Sequence, residues 1–64
     1  MKTVLDVRNL LKQFGVFIYT GDRISDLELM HAELNSLYEV KLIDVMTYKN
    51  AIFILKKEIS DLST

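Results

Sequence analysis

The chain of 64 residues has no cysteine, no proline and no tryptophan, and only two glycines, Gly15 and Gly21. Without cysteine it has neither a disulfide staple nor a thiolate metal site. The scarcity of glycine and proline argues against a many-stranded, turn-rich fold. Long apolar runs are missing too. The longest, residues 51 to 55, covers five positions, far short of a bilayer span. Near the N-terminus, Lys2 is followed by no apolar signal region. The expectation is a soluble intracellular protein. At this length it forms one domain, residues 1–64, near the lower limit for folding unaided.

Hydrophobic residues make up 50% of the chain, ample for a core. The net charge of −1 favours no class of partner, but its distribution is uneven. Residues 1–21 carry +2, residues 22–39 carry −4, residues 40–57 carry +3 and the tail carries −2. A nearly neutral chain arranged this way is able to present a basic face.

The periodicity predicts three helices. Val4, Val7, Leu11 and Phe14 follow 3-4-3 steps, with Leu10 beside them. Thr3 caps that helix, with Asp6 three residues on, and Gly15 supplies the left-handed residue after its end. The first helix is expected over about 4–14. The second begins near Thr20 to Asp22, either of which is able to cap it, with Asp22, Asp26 and Glu28 near the positive end of the helix dipole. Its stripe is Ile24, Leu27, Leu34 and Leu37, with Met30 and Tyr38 at the edges, and it lasts to about Val40. Leu42 and Ile43 make a short connection. Asp44 caps a third helix over about 45–60, with a seam of Tyr48, Ile52, Leu55, Ile59 and Leu62, widened by Ala51 and Ile54. The expected fold is an all-α three-helix bundle. The apolar connection of residues 15–21 joins the first two helices. Its run Val16 to Tyr19 has no second run to pair with as a strand. It is expected to pack as a lid over an open end of the bundle.

The stretches "DVRNLLKQFG", "IYTGDRISDLELMHAELNSLY" and "YKNAIFILKKE" resemble the YqgQ-like family of small bacterial proteins. The resemblance runs from Asp6 to Glu58. Its most specific part is Ile18-Tyr19-Thr20-Gly21-Asp22-Arg23 followed by Asp26, Glu28, Leu29 and Met30. One departure is Val45, where family members often place proline at the opening of the third helix. The resemblance implies a compact three-helix bundle in the cytoplasm. It carries over no catalytic residue, and single-stranded nucleic-acid binding is only a suggestion for the family.

Enzyme chemistry finds little support. "TGDR" lacks the GK[ST] ending of a phosphate loop. A weaker anion site remains conceivable at Thr20, Gly21 and Arg23, where a helix start offers free amides, although Asp22 would occupy those amides and repel phosphate. His31 follows Glu28 by three residues, a spacing used in di-metal bundles, but one such pair does not complete a metal site. The serines Ser25, Ser36, Ser60 and Ser63 have no histidine base in fixed relation. No catalysis, cofactor, metal or small-molecule substrate is expected.

Phe53 is the remaining feature. It points away from the seam of the third helix, and Lys49, Asn50, Lys56 and Lys57 lie three or four residues from it. A ring framed by lysines suits a single strand, with the ring stacking on a base and the ammonium groups meeting phosphates. Arg8 and Lys12 extend that surface if the first helix packs alongside. The bland alternative buries Phe53 against Val16, Phe17 or Ile18 of the connection, or against another chain. The expected function is a non-catalytic module binding single-stranded RNA or DNA through Phe53, Lys49, Lys56, Lys57, Arg8 and Lys12. The rival is a protein-interaction module or homodimer with no nucleic-acid role.

Overall fold

A computed structural model describes residues 1–63. Three helices follow in order: α1 (Val4–Gln13), α2 (Arg23–Glu39) and α3 (Val45–Ser63). No strand occurs among the described residues. The architecture is the expected three-helix bundle.

Local chemistry sets the start of each helix. At α1, Thr3 Oγ1 accepts from the Asp6 amide at 3.3 Å, and the Asp6 carboxylate accepts from the amides of Thr3 at 3.1 Å and Lys2 at 2.8 Å. That is a reciprocal capping box. At α2 the cap is Asp22, which accepts from Ser25 N at 2.9 Å. At α3 it is Asp44, which accepts from Thr47 N at 2.7 Å. Asp44 thus defines a sharp start with Val45 in place of proline.

The first two helices end alike. After α1, Gly15 N donates to Lys12 O and Val16 N to Leu11 O, both at 3.0 Å. After α2, Lys41 N donates to Tyr38 O at 3.0 Å and Leu42 N to Leu37 O at 2.9 Å. Both are Schellman endings, which need a left-handed residue just past the cap. Gly15 fills that position at φ +79° and Lys41 fills it at φ +62°. Gly21 is left-handed as well, at φ +87°, where the chain turns into α2.

The core comprises Val7, Leu11, Leu27, Met30, Leu34, Ala51 and Leu55, with Val4, Leu37 and Ile43 at its margin. Burial differs from the expected seams on all three helices. Met30 is fully buried at the centre of α2, not at an edge. On α3, Ala51 and Leu55 are the buried residues, while Tyr48, Ile52, Ile54 and Ile59 pack around the core half-buried. Leu62 lies exposed in the last turn, and Phe14, expected on the inner face of α1, is its exposed cap residue.

The apolar connection is half a lid. Val16 and Ile18 pack onto the core, whereas Phe17 and Tyr19 are 74% and 86% exposed. The segment alternates inward and outward, as extended backbone does. It is tied to both neighbouring helices. Arg8 Nη1 of α1 donates to the Ile18 carbonyl. Asp26 of α2, 4% exposed, accepts from Thr20 N at 2.7 Å and from Thr20 Oγ1 at 2.6 Å through one carboxylate oxygen. Those two bonds, with Arg8 nearby, hold the Asp26 carboxyl below its usual range.

Candidate nucleic-acid interface

Phe53 sits on the outer face of α3, 60% exposed. It does not bury against Phe17 or Ile18. Lys49 precedes it by one helical turn, and Lys56 and Lys57 follow by one, all exposed. On one flank the ring shares a shallow groove with Tyr48, Lys49, Ile52, Lys56 and Lys57. That lining contains no carboxylate, so its charge is wholly positive. Ile52 supplies an apolar floor.

The groove wall is held rigid from behind. The Tyr48 ring stacks on Tyr38 with centroids 4.3 Å apart and planes 8° from parallel. Its hydroxyl donates to Asn35 Oδ1, and the Asn35 amide lies 3.3 Å from His31 Nδ1. His31 is thus a member of a hydrogen-bonded chain on α2. No group of three His, Cys, Asp or Glu side chains that could hold a metal occurs among the described residues.

The other flank of Phe53 faces α1. There Leu5, Asn50, Lys57, Glu58 and Asp61 line a wider groove with Lys2. The carboxylates of Glu58 and Asp61 make this side electrostatically mixed. Arg23 reaches it from α2 and pairs with Glu58 at 3.3 Å. Both partners are substantially solvated, so the pair adds little to stability.

Arg8 and Lys12 do not line either groove beside Phe53. They line a third with Phe17, Ile18 and Tyr19. The reason is the Arg8 bond to the Ile18 carbonyl, which turns that side chain toward the connection.

Thr20 and Arg23, named in the anion reading, both bond to carboxylates. Both donors of Thr20 serve Asp26. The Asp22 amide donates to Thr20 Oγ1 at 3.2 Å, and Asp22 itself takes the Ser25 amide at the helix start. The Ser25 hydrogen bonds hold the Asp22 carboxyl below its usual range, so it is a charged group where an anion would sit. Arg23 turns to Glu58. Thr20 and Arg23 thus belong to a helix start built around two carboxylates, Asp22 and Asp26, with Gly21 at its turn.

No helix among the described residues is long and apolar enough to cross a membrane. In comparison with known proteins, the YqgQ-like family model matches residues 1–61. A relative from Bacillus subtilis (strain 168), described as the uncharacterized protein YqgQ, is 41% identical over 59 residues. That match covers 92% of this chain and 83% of the relative.

Proposed function

Since the chain belongs to the YqgQ-like family, whose name states no activity, we propose that it is a non-catalytic cytoplasmic module that binds single-stranded RNA or DNA. The carrying observation is the exposed Phe53 ring beside a groove lined by three lysines and no carboxylate. Stacking on a ring needs no particular base, and ammonium groups follow the backbone, so the ligand is chosen by its single-strandedness more than by its sequence. Tyr48 and Ile52 extend the apolar surface beside the ring. The clamp of Tyr48 by Tyr38 and Asn35 keeps that surface fixed, which limits the ordering cost on binding.

The rival, a protein-interaction module or homodimer, draws on the opposite flank. There Leu5, 61% exposed, lines the same groove as Phe53 with charges of both signs. One experiment separates the two. Labelled single strands are titrated at two salt concentrations against wild type, Phe53→Ala and the double change Lys56→Gln with Lys57→Gln. Strand binding predicts that Phe53→Ala weakens affinity by about 1–3 kcal/mol. The lysine pair weakens it too and flattens its dependence on salt. Each variant is exposed at the changed position and keeps the wild-type melt. No oligonucleotide binding, with sedimentation shifted toward monomer by Phe53→Ala, selects the interaction module instead.

A further inference from the structure

Phe17 and Tyr19 are the most exposed aromatic side chains of the molecule, at 74% and 86%. Large apolar rings on a short connection usually cover a core, yet here Val16 and Ile18 do that. Because the two rings alternate with the inward residues, they stand on the same side of an extended backbone, about 7 Å apart. Successive unstacked bases use that kind of arrangement. The groove beside them is lined by Arg8, Lys12 and Ile18, again with no carboxylate. Arg8 spends one donor on the Ile18 carbonyl and retains others, since a guanidinium carries five N–H groups.

The segment is also immobilised. Its amide at Val16 bonds to Leu11, its carbonyl at Ile18 accepts from Arg8, and Thr20 is fastened to buried Asp26. With the backbone that carries the two rings held in this way, stacking on them need order only the side chains.

α1 borders both this groove and the mixed groove on the inner flank of Phe53, where Lys2, Arg23 and Lys57 outnumber the carboxylates of Glu58 and Asp61. Leu5 of α1 lines the Phe53 groove, while Arg8 and Lys12 of α1 line the Phe17–Tyr19 groove. Leu5, Arg8 and Lys12 are spaced by three and four residues, so they share one flank of the helix. From Leu5 to Lys12 that flank is about 10 Å long.

We propose that Phe17 and Tyr19, with Arg8 and Lys12, form a second stacking platform, and that one single strand runs along the flank of α1 from Phe53 to these two rings. The inference rests on the strand-binding reading of Phe53. Two anchors on one ligand multiply their effects, because the second engages at the high local concentration set by the first.

The test uses the full chain and a labelled poly-pyrimidine strand of about 12 nucleotides, within the length one strand-binding domain covers. Binding and stoichiometry are measured for wild type, Phe53→Ala, Phe17→Ala with Tyr19→Ala, and Lys12→Gln. The expected results are one strand per protein, an affinity about five- to hundredfold weaker for the Phe17/Tyr19 pair, and a salt dependence shallower by about one unit for Lys12→Gln. The melts are unchanged, because all four side chains are exposed. If wild type binds no strand, the Phe53 reading itself fails. If Phe53→Ala weakens binding and the Phe17/Tyr19 pair does not, only the second platform is overturned. Two strands per protein, each lost with one platform, overturns the single path. Unchanged strand binding with altered sedimentation in the Phe17/Tyr19 pair assigns the rings to self-association and overturns the proposal.

Discussion

Replacing Gly21 by alanine, and Lys41 by glycine, probes the same backbone conformation from opposite sides. Gly21 stands at φ +87° and Lys41 at φ +62°. A side chain in the left-handed region brings Cβ against the following carbonyl, at a cost of about 1–2 kcal/mol. A Cβ added at Gly21 meets no other atom within 4 Å, so the penalty is confined to the backbone. Alanine also restricts the unfolded chain, which returns about 0.4–1 kcal/mol. The net expectation for Gly21→Ala is a loss of about 0.5–1 kcal/mol. Lys41 already bears that strain. Lys41→Gly removes the strain and loosens the unfolded chain, so it gains a few tenths to about 1 kcal/mol. In a domain of this size, 1 kcal/mol moves the melting temperature by about 4–8 °C. Thermal melts followed by circular dichroism at 222 nm resolve such shifts. A stabilised Gly21→Ala, or a destabilised Lys41→Gly, would refute the left-handed assignment and with it the Schellman ending of α2.

Two further predictions concern the core and the caps. Leu55→Ala should cost about 3–5 kcal/mol and leave the chain largely unfolded near 37 °C, whereas half-buried Ile52→Ala should cost about 1–2 kcal/mol and retain a cooperative melt; equal losses would place the α3 seam elsewhere. The carboxyls of Asp6, Asp22, Asp26 and Asp44 are all held below the ordinary carboxylate range by hydrogen bonds to the charged form. The folded state therefore binds protons less readily than the unfolded chain, so this stabilisation is present above about pH 4 and is lost as pH falls through the depressed values. Melting temperature should hold between about pH 7 and 5 and then drop, and Asp44→Asn, which still caps, should make the drop shallower. A melting temperature that rises on acidification would contradict the three capping geometries and the Asp26–Thr20 bonds.

Most of the fold was legible because helix periodicity and capping chemistry are local. Thr3, Gly15 and Asp44 each mark a boundary by a bond to a residue within four positions. The connection was harder for a physical reason. Val16, Phe17, Ile18 and Tyr19 are all apolar, so nothing in their composition reveals that alternate residues face outward. Asp26 was similarly disguised. Its place in the first turn of α2 accounts for a carboxylate by the helix dipole alone, and its burial under Thr20 depends on how the connection folds back. Arg8 reads as a solvated base until that same fold brings the Ile18 carbonyl to it. Phe53 stood between these cases: helical spacing turns it from the seam, but only the fold of the connection shows that Phe17 and Ile18 do not cover it.

The three helices are not held equally. The largest helix interface is between α2 and α3, which are consecutive and joined by only Val40 to Asp44. α1 packs less extensively on each, and reaches them through the longer connection. Contacts between neighbours in sequence are reached early in folding, because little loop entropy opposes them. The α2–α3 hairpin is accordingly the unit that assembles first, and α1 docks onto it. In the native protein the reverse excursion is the cheapest large opening, with α1 swinging free while the hairpin persists. Amide hydrogens of α1 should then exchange with solvent ahead of those around Leu34 and Leu55. The Arg8–Ile18 and Thr20–Asp26 bonds are the hasps on that opening, so their loss quickens exchange in α1 and leaves the α2–α3 rates nearly as they were.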